Sequence, residues 1–243
     1  MRALVVGGSS GIGLSIVLDL IDRQEYDLIY VLDKSVFPEE YRTSKVEDYI
    51  CDLSEGDYSC LDNITDIQAL YITAGFGHLR FFQELSDEYI DDIFFVNAIA
   101  PIQIIRRFYG KILSNMDFYC AVMVSIAGRL SSPLFSVYSA TKAALSKFIE
   151  AINVELDVQG VKNRILEVSP GSLKGTGFSG GRSNPDMTAE LAGEIIRRAE
   201  SHEELYIPQY KEVFKKVIER YEADAHGFGV ESFWYKQKRL GQQ

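Results

Sequence analysis

Histidine and cysteine, the side chains that most often hold metals, are scarce in this sequence, with three of each in 243 residues. Cys51, Cys60 and Cys120 show neither C-x-x-C spacing nor a neighbouring histidine pattern. Neither a disulfide framework nor a metal site is therefore indicated, and buried thiols are expected. Positive charge is also in deficit, with 25 lysines and arginines against 35 aspartates and glutamates, a net charge of −10. Non-specific nucleic-acid binding needs clustered basic groups that displace counterions, so no nucleic-acid partner is expected. No apolar run approaches the roughly 18 residues of a membrane span, and Met1-Arg2 leads straight into an apolar strand without a signal-peptide pattern. A cytoplasmic protein without a membrane partner is the expectation.

What is present alternates. Apolar runs predict strands at Arg2 to Val6, Leu28 to Leu32, Val46 to Cys51, Ile67 to Ile72, Tyr119 to Ser125, Arg164 to Val168 and Glu204 to Ile207. Helical periodicity predicts Ile12 to Asp22, an interrupted Asp87 to Ser114, Ser136 to Gln159, Thr188 to Ser201 and Gln209 to Ala223. Strands alternating with helices give an α/β fold, a doubly wound parallel sheet of seven strands with helices on both faces. A chain of this length suits one domain, residues 1–243. The stretch from Gly171 to about Thr188 is rich in glycine and serine, has no periodicity and follows a strand's carboxyl end, where ligands bind in such sheets. It is expected to act as a substrate lid, and its Lys174 and Arg182 hint at a polar or anionic substrate. Residues 209–243 form a carboxyl-terminal helix and an aromatic tail whose role is open.

Two arrangements carry chemistry. Ser9 and Ser10 lie in the turn Gly7-Gly8-Ser9-Ser10-Gly11-Ile12-Gly13, which follows the first strand and opens a helix. Such a turn lets backbone approach a pyrophosphate, with the helix amino end aimed at its charge. Asp33, about 20 residues beyond the turn at the end of the second strand, can accept both hydroxyls of an adenosine ribose and would repel a 2′-phosphate. NAD(H) is therefore favoured over NADP(H), although the cation of Lys34 beside it would attract a 2′-phosphate. In the second arrangement, Tyr138 and Lys142 are four residues apart on one helical face, with Ser125 a short way upstream. A lysine cation about 5 Å from a phenol, at an effective dielectric of about 20, favours the phenolate by roughly 3 kcal/mol. The tyrosine is expected to titrate about two units below its usual value.

The spacing Gly7, Gly11, Gly13, the trio Ser125, Tyr138, Lys142 and further residues in order resemble the short-chain dehydrogenase/reductase family in its compact form. Those residues are Asp33, Asp52-Leu53, Thr73-Ala74-Gly75, Asn97 and Pro170-Gly171, and the resemblance runs from Met1 to about Ile207. It implies an NAD(P)-dependent oxidoreductase that interconverts an alcohol and a carbonyl on a small molecule. Tyr138 would be the general acid/base, and Ser125 would hold the substrate oxygen. Lys142 would bias the phenol and bond the nicotinamide ribose. Asp52 and Leu53 would flank the adenine, and Ala74-Gly75 the adenosine ribose. Pro101, which lacks an N–H, frees the Asn97 carbonyl within its helix for a water in a proton relay. The chain has Thr73 where the family commonly has asparagine, and Thr176 comes later than the family's threonine, which puts in doubt its hold on the nicotinamide. The family also implies a homodimer or homotetramer through the two longest helices. The rivals are a catalytically silent nucleotide-sensing protein, against which Tyr138 and Lys142 speak, and a sugar-nucleotide epimerase or dehydratase, against which the glycine turn speaks.

Overall fold

The computed structural model describes residues 1–176, 178 and 183–240, apart from the side chains of Arg239 and Leu240. Its strands are β1 (Arg2–Val6), β2 (Leu28–Asp33), β3 (Val46–Ile50), β4 (Ala69–Ile72), β5 (Tyr119–Met123), β6 (Ile165–Val168) and β7 (Leu205–Tyr206). They form one parallel sheet in the order β3-β2-β1-β4-β5-β6-β7. The helices are α1 (Gly11–Asp22), α2 (Asp87–Phe94), α3 (Ala100–Ile112), α4 (Ser136–Val158), α5 (Ala189–Glu200), α6 (Lys215–Ala223) and α7 (Ala225–Leu240).

Strand alternation sorts the core into two layers. Leu4, Val6, Leu32, Leu70, Ile72 and Val122 face one way, into a cluster with Ile104, Phe108, Leu145 and Ile149 of α3 and α4. Ala3, Val5, Val31, Ala69, Tyr71 and Ala121 face the other, against Ile16, Val17 and Leu20 of α1 and Ile195 and Ile196 of α5. Because helices cover both faces of the central strands, β1, β4 and β5 read as nearly continuous apolar runs, whereas the edge strand β3 (Val46–Ile50) carries Glu47 and Asp48 and is only partly covered. From β1 the chain winds outward to β3, then returns to β4 on the other side of β1. The crevice at that reversal, beyond the carboxyl ends of β1 and β4, is where such sheets bind ligands.

Three local features depart from the expected outline. The interruption before Pro101 is a π-helical turn over Phe95–Ile99 that joins α2 to α3. A second π-helical turn, Tyr210–Phe214, precedes α6. The aromatic tail is helical: α7 begins after Asp224, whose Oδ1 accepts the Gly227 N–H at 2.9 Å. Cys51 and Cys120 are buried thiols, pushed up to about 12 by burial, whereas Cys60 is only half-buried.

Candidate active site

The glycine turn is drawn tightly over the sheet. The Gly7 N–H donates to the Leu32 carbonyl at 2.7 Å, and both Gly7 (φ 85°) and Gly11 (φ 54°) take left-handed backbone that other residues resist. The Thr73 hydroxyl lies 3.0 Å from the Val6 carbonyl and 3.1 Å from that of Gly7, so threonine supplies the tie between β4 and the turn. Ser9 is buried, Ser10 is the exposed N-cap of α1, Ile12 is half-buried and Gly13 is buried within the first turn. The Gly11 N–H donates to Ser183 Oγ at 2.7 Å, so this amide points at an oxygen acceptor of the kind a phosphate offers.

Asp33 ends β2 with both carboxylate oxygens engaged. Oδ2 accepts the Ser9 N–H and Oδ1 the Ser35 N–H, each at 3.0 Å. The carboxylate is thereby fixed beside the turn, as a ribose-binding acceptor must be. Asp52 is exposed and caps a short 3₁₀ turn through Ser54, and Leu53 behind it is buried. Ala74 donates its N–H to the Val6 carbonyl at 3.1 Å. These residues and the glycine turn stand at the carboxyl ends of four neighbouring strands, β3, β2, β1 and β4.

The four candidate catalytic residues come from the end of β5, the turn Phe95–Ile99 and α4. Ser125 follows β5 and caps the 3₁₀ turn Ile126–Gly128, its Oγ accepting the Ala127 N–H at 3.1 Å. The Ile126 N–H donates to the Pro170 carbonyl at 3.0 Å, aligning the β5 and β6 exits. Ser139 on α4 donates to the Ala127 carbonyl, fastening the 3₁₀ turn to the helix that carries Tyr138 and Lys142. Both are buried, and Lys142 Nζ donates to the Met123 carbonyl at 2.9 Å. Asn97 is fully buried in the π-helical turn. Its Nδ2 donates to the Phe76 carbonyl at 2.8 Å and its Oδ1 accepts the Phe76 N–H at 2.9 Å. That pair of hydrogen bonds to one residue's backbone holds the chain after β4 against the helix. Gly75 is the pinch point, since a β-carbon there would lie 3.1 Å from Asn97 Oδ1 and 3.3 Å from Lys142 Nζ.

One expectation is corrected. The Tyr138 phenol is not lowered by its lysine: burial pushes it up to about 12, with Ser125 the opposing influence. Burial also pulls Lys142 down to about 8. The four-residue spacing implies attraction between cation and phenol, but both groups are buried, and desolvation penalises the charged form of each.

Thr176 comes beside the turn, its Cβ 3.6 Å from where a Gly11 β-carbon would stand, and Gly171 packs under the Phe214 ring. Two aromatic residues at the site escaped sequence reasoning. Phe135 lies 4.3 Å from the Tyr138 ring, centroid to centroid, and Phe178 lies 5.2 Å from it. Phe135, three residues before Tyr138, was findable by helical spacing, whereas Phe178 sits in a stretch without periodicity. Lys174 is exposed, and Arg182 lies outside the described residues.

A family model described as short chain dehydrogenase matches residues 1–186. The chain is 32% identical over 212 residues to the uncharacterized oxidoreductase TDA5 of Saccharomyces cerevisiae, a match covering 81% of this chain and 64% of that one. It is 28% identical to an 11-beta-hydroxysteroid dehydrogenase of Pinus massoniana, covering 89% of this chain and 62% of that one. The chain thus spans just under two thirds of the length of either relative. Among solved structures, a short-chain dehydrogenase from Streptomyces avermitilis superposes with a TM-score of 0.74 at 20% identity, covering 100% of this chain and 99% of that one.

Proposed function

This chain belongs to the short-chain dehydrogenase family, and from that premise we propose that it interconverts an alcohol and a carbonyl compound with a nicotinamide dinucleotide as redox partner. The observation that carries the reading is the set of buried Tyr138, Lys142 and Asn97 with half-buried Ser125, beyond the same strand ends as the glycine turn and Asp33. The Gly11 amide, aimed at the Ser183 oxygen, and the fixed Asp33 carboxylate would suit a dinucleotide's phosphate and ribose. When bound, the cofactor supplies or accepts a hydride.

The chain's residues handle the proton and the orientation. Tyr138, neutral at physiological pH, donates its phenolic proton to the carbonyl oxygen during reduction and takes one back during oxidation. Ser125 holds that oxygen and supports the charge developing on it. Lys142 would hold the ribose of a bound cofactor and would stabilise the phenolate once the proton has left. Asn97 holds the chain after β4 in place, and its main-chain carbonyl is offered to a water that returns protons towards Lys142. NAD(H) is favoured, because the Asp33 carboxylate would meet a 2′-phosphate with like charge.

The substrate we propose is an uncharged carbonyl compound with a bulky apolar or aromatic substituent. Phe135 and Phe178 flank the Tyr138 ring, and Ile93, Val137, Phe76 and Phe94 lie in or against the same apolar cluster. The steroid named for the pine relative is of that chemical kind. Oxidation of NADH and NADPH over a panel of aryl ketones, apolar aldehydes and charged keto acids tests the reading. Turnover of the apolar members supports it. Turnover confined to the keto acids would reject the substrate class, and no turnover with any would return the chain to a nucleotide-binding role.

For assembly we propose a homodimer or homotetramer through α3 and α4. Ile105, Phe108, Ile149 and Leu156 of these helices are core, but Ile102, Phe148 and Ile152 are only half-buried, and Val154 and Val158 are exposed.

A further inference from the structure

We propose that the outer face of α7 binds the surface of anionic phospholipid bilayers. The inner face of this helix is accounted for. Phe233 packs edge-on against Phe81 (centroids 6.2 Å apart), Lys236 Nζ donates to Ser132 Oγ and the Pro133 carbonyl, and Gly229 lies beside Ser131. At about 100° per residue, positions 229, 233 and 236 share one side of the helix, and positions 231, 234, 235 and 238 share the other. That other side carries Trp234, 57% exposed, and Tyr235, 64% exposed, with Val230 at its edge, 45% exposed. Lys238 is exposed beside them, and Glu231 is paired with Arg220.

Charge distribution separates a lipid surface from other occupants. Residues 209–243 hold seven basic and five acidic side chains, whereas the first 208 hold 18 basic and 30 acidic. A strongly acidic chain thus ends in a net-basic segment whose outer face combines tryptophan, tyrosine and lysine. Tryptophan and tyrosine favour the headgroup level, where an apolar ring and a polar edge are both satisfied, and nearby cations are drawn to anionic lipids. A second copy docked by two-fold symmetry would set Lys238 and its neighbours against their own kind, and three exposed apolar side chains fall well short of the roughly 800 Å² per partner of a stable interface.

The mode is a helix lying on the surface, since no helix among the described residues is long and apolar enough to cross a membrane. A short apolar face with modest charge gives weak, reversible binding. The inner face of α7 rests on Ser131–Pro133, a few residues from Ser125 and Phe135. The binding itself stands independently of the proposed reaction.

Trp234 is the only tryptophan in the chain, so its fluorescence reads this face alone. The full chain is titrated with phosphatidylcholine vesicles, with and without about one third phosphatidylserine, following emission and co-sedimentation. A blue shift and sedimentation with the phosphatidylserine vesicles only, both reversed by salt, are expected. Lys238→Glu should weaken that binding about tenfold, and Trp234→Ser should reduce sedimentation. Unchanged emission without sedimentation would overturn the proposal. So would a concentration-dependent blue shift in lipid-free protein together with a doubled mass, which would put a second copy on this face.

Discussion

Lys142 Nζ lies 5.8 Å from the centre of the Tyr138 ring, and burial moves the two groups in opposite directions, the phenol up to about 12 and the ammonium down to about 8. Each shift favours the neutral form, so the pair combines a proton-bearing phenol with an ammonium that titrates near neutrality.

The lysine shift has a consequence for stability. Unfolded lysine titrates near 10.5 and folded Lys142 near 8, so between those values the unfolded state binds more protons and stability rises with pH. The raised Tyr138 value acts in the opposite sense, but only above its unfolded value of 10.0. Lys236, also lowered to about 8, contributes with the same sign as Lys142 and is retained in the comparison. Relative to Lys142→Met, the wild type should gain about 2 kcal/mol between pH 7.5 and 9.5. Denaturant titrations at the two pH values check this, and equal changes in both proteins would contradict it.

Gly75→Ala should damage activity far more than stability. The added carbon would press on Asn97 Oδ1 and Lys142 Nζ, and Asn97 has no room to yield because it is buried and doubly bonded to Phe76. Turnover should fall about tenfold or more through misplacement of the lysine, with the melting temperature within a few degrees of wild type. Steady-state kinetics beside thermal unfolding separate the two effects, and unchanged turnover would remove Gly75 from the site.

Asp33→Asn keeps an oxygen for backbone contact while removing the charge. The ratio of the NADPH to the NADH dissociation constant should fall at least about tenfold, because the repulsion against a 2′-phosphate is lost. Fluorescence titration of both cofactors measures it. An unchanged ratio would place cofactor choice elsewhere, with Lys34 the first residue to test.

Assembly through α3 and α4 implies that a charge on the exposed α4 face should break it. Val154→Glu should lower the mass seen by light scattering and reduce activity, because α4 also carries Tyr138 and Lys142. A fully active wild-type monomer at micromolar concentration would contradict the proposed assembly.

Much of this molecule is legible in its sequence, for identifiable reasons. Central strands covered on both faces read as apolar runs, and all seven strands lie within a residue or two of their expected ends, the edge strands β3 and β7 being marked instead by their place in the strand and helix alternation. Pro101 announced the helix interruption, although its form, a π-helical turn that aims Asn97 at Phe76, depends on packing. The candidate site residues lie on one side of the sheet because the glycine turn, Asp33, Ser125 and Pro170 all end or follow strands, and parallel strands end at one edge. Helix α7 was missed, since Gly227 and Gly229 in its first turns and its mixed aromatic pattern hide the periodicity. The direction of the Tyr138 shift was also missed. A four-residue spacing reports proximity to a lysine, but whether attraction or desolvation wins depends on how completely both groups are enclosed, which no local pattern encodes.

The central claim is that Tyr138 delivers the proton. The most direct measurement compares wild type with Tyr138→Phe for reduced-cofactor oxidation on the best carbonyl substrate of the panel, together with cofactor affinity in the same samples. Turnover reduced by about a thousandfold or more, with the cofactor dissociation constant within a few-fold of wild type, is the result this account expects. Turnover within tenfold of wild type would contradict it.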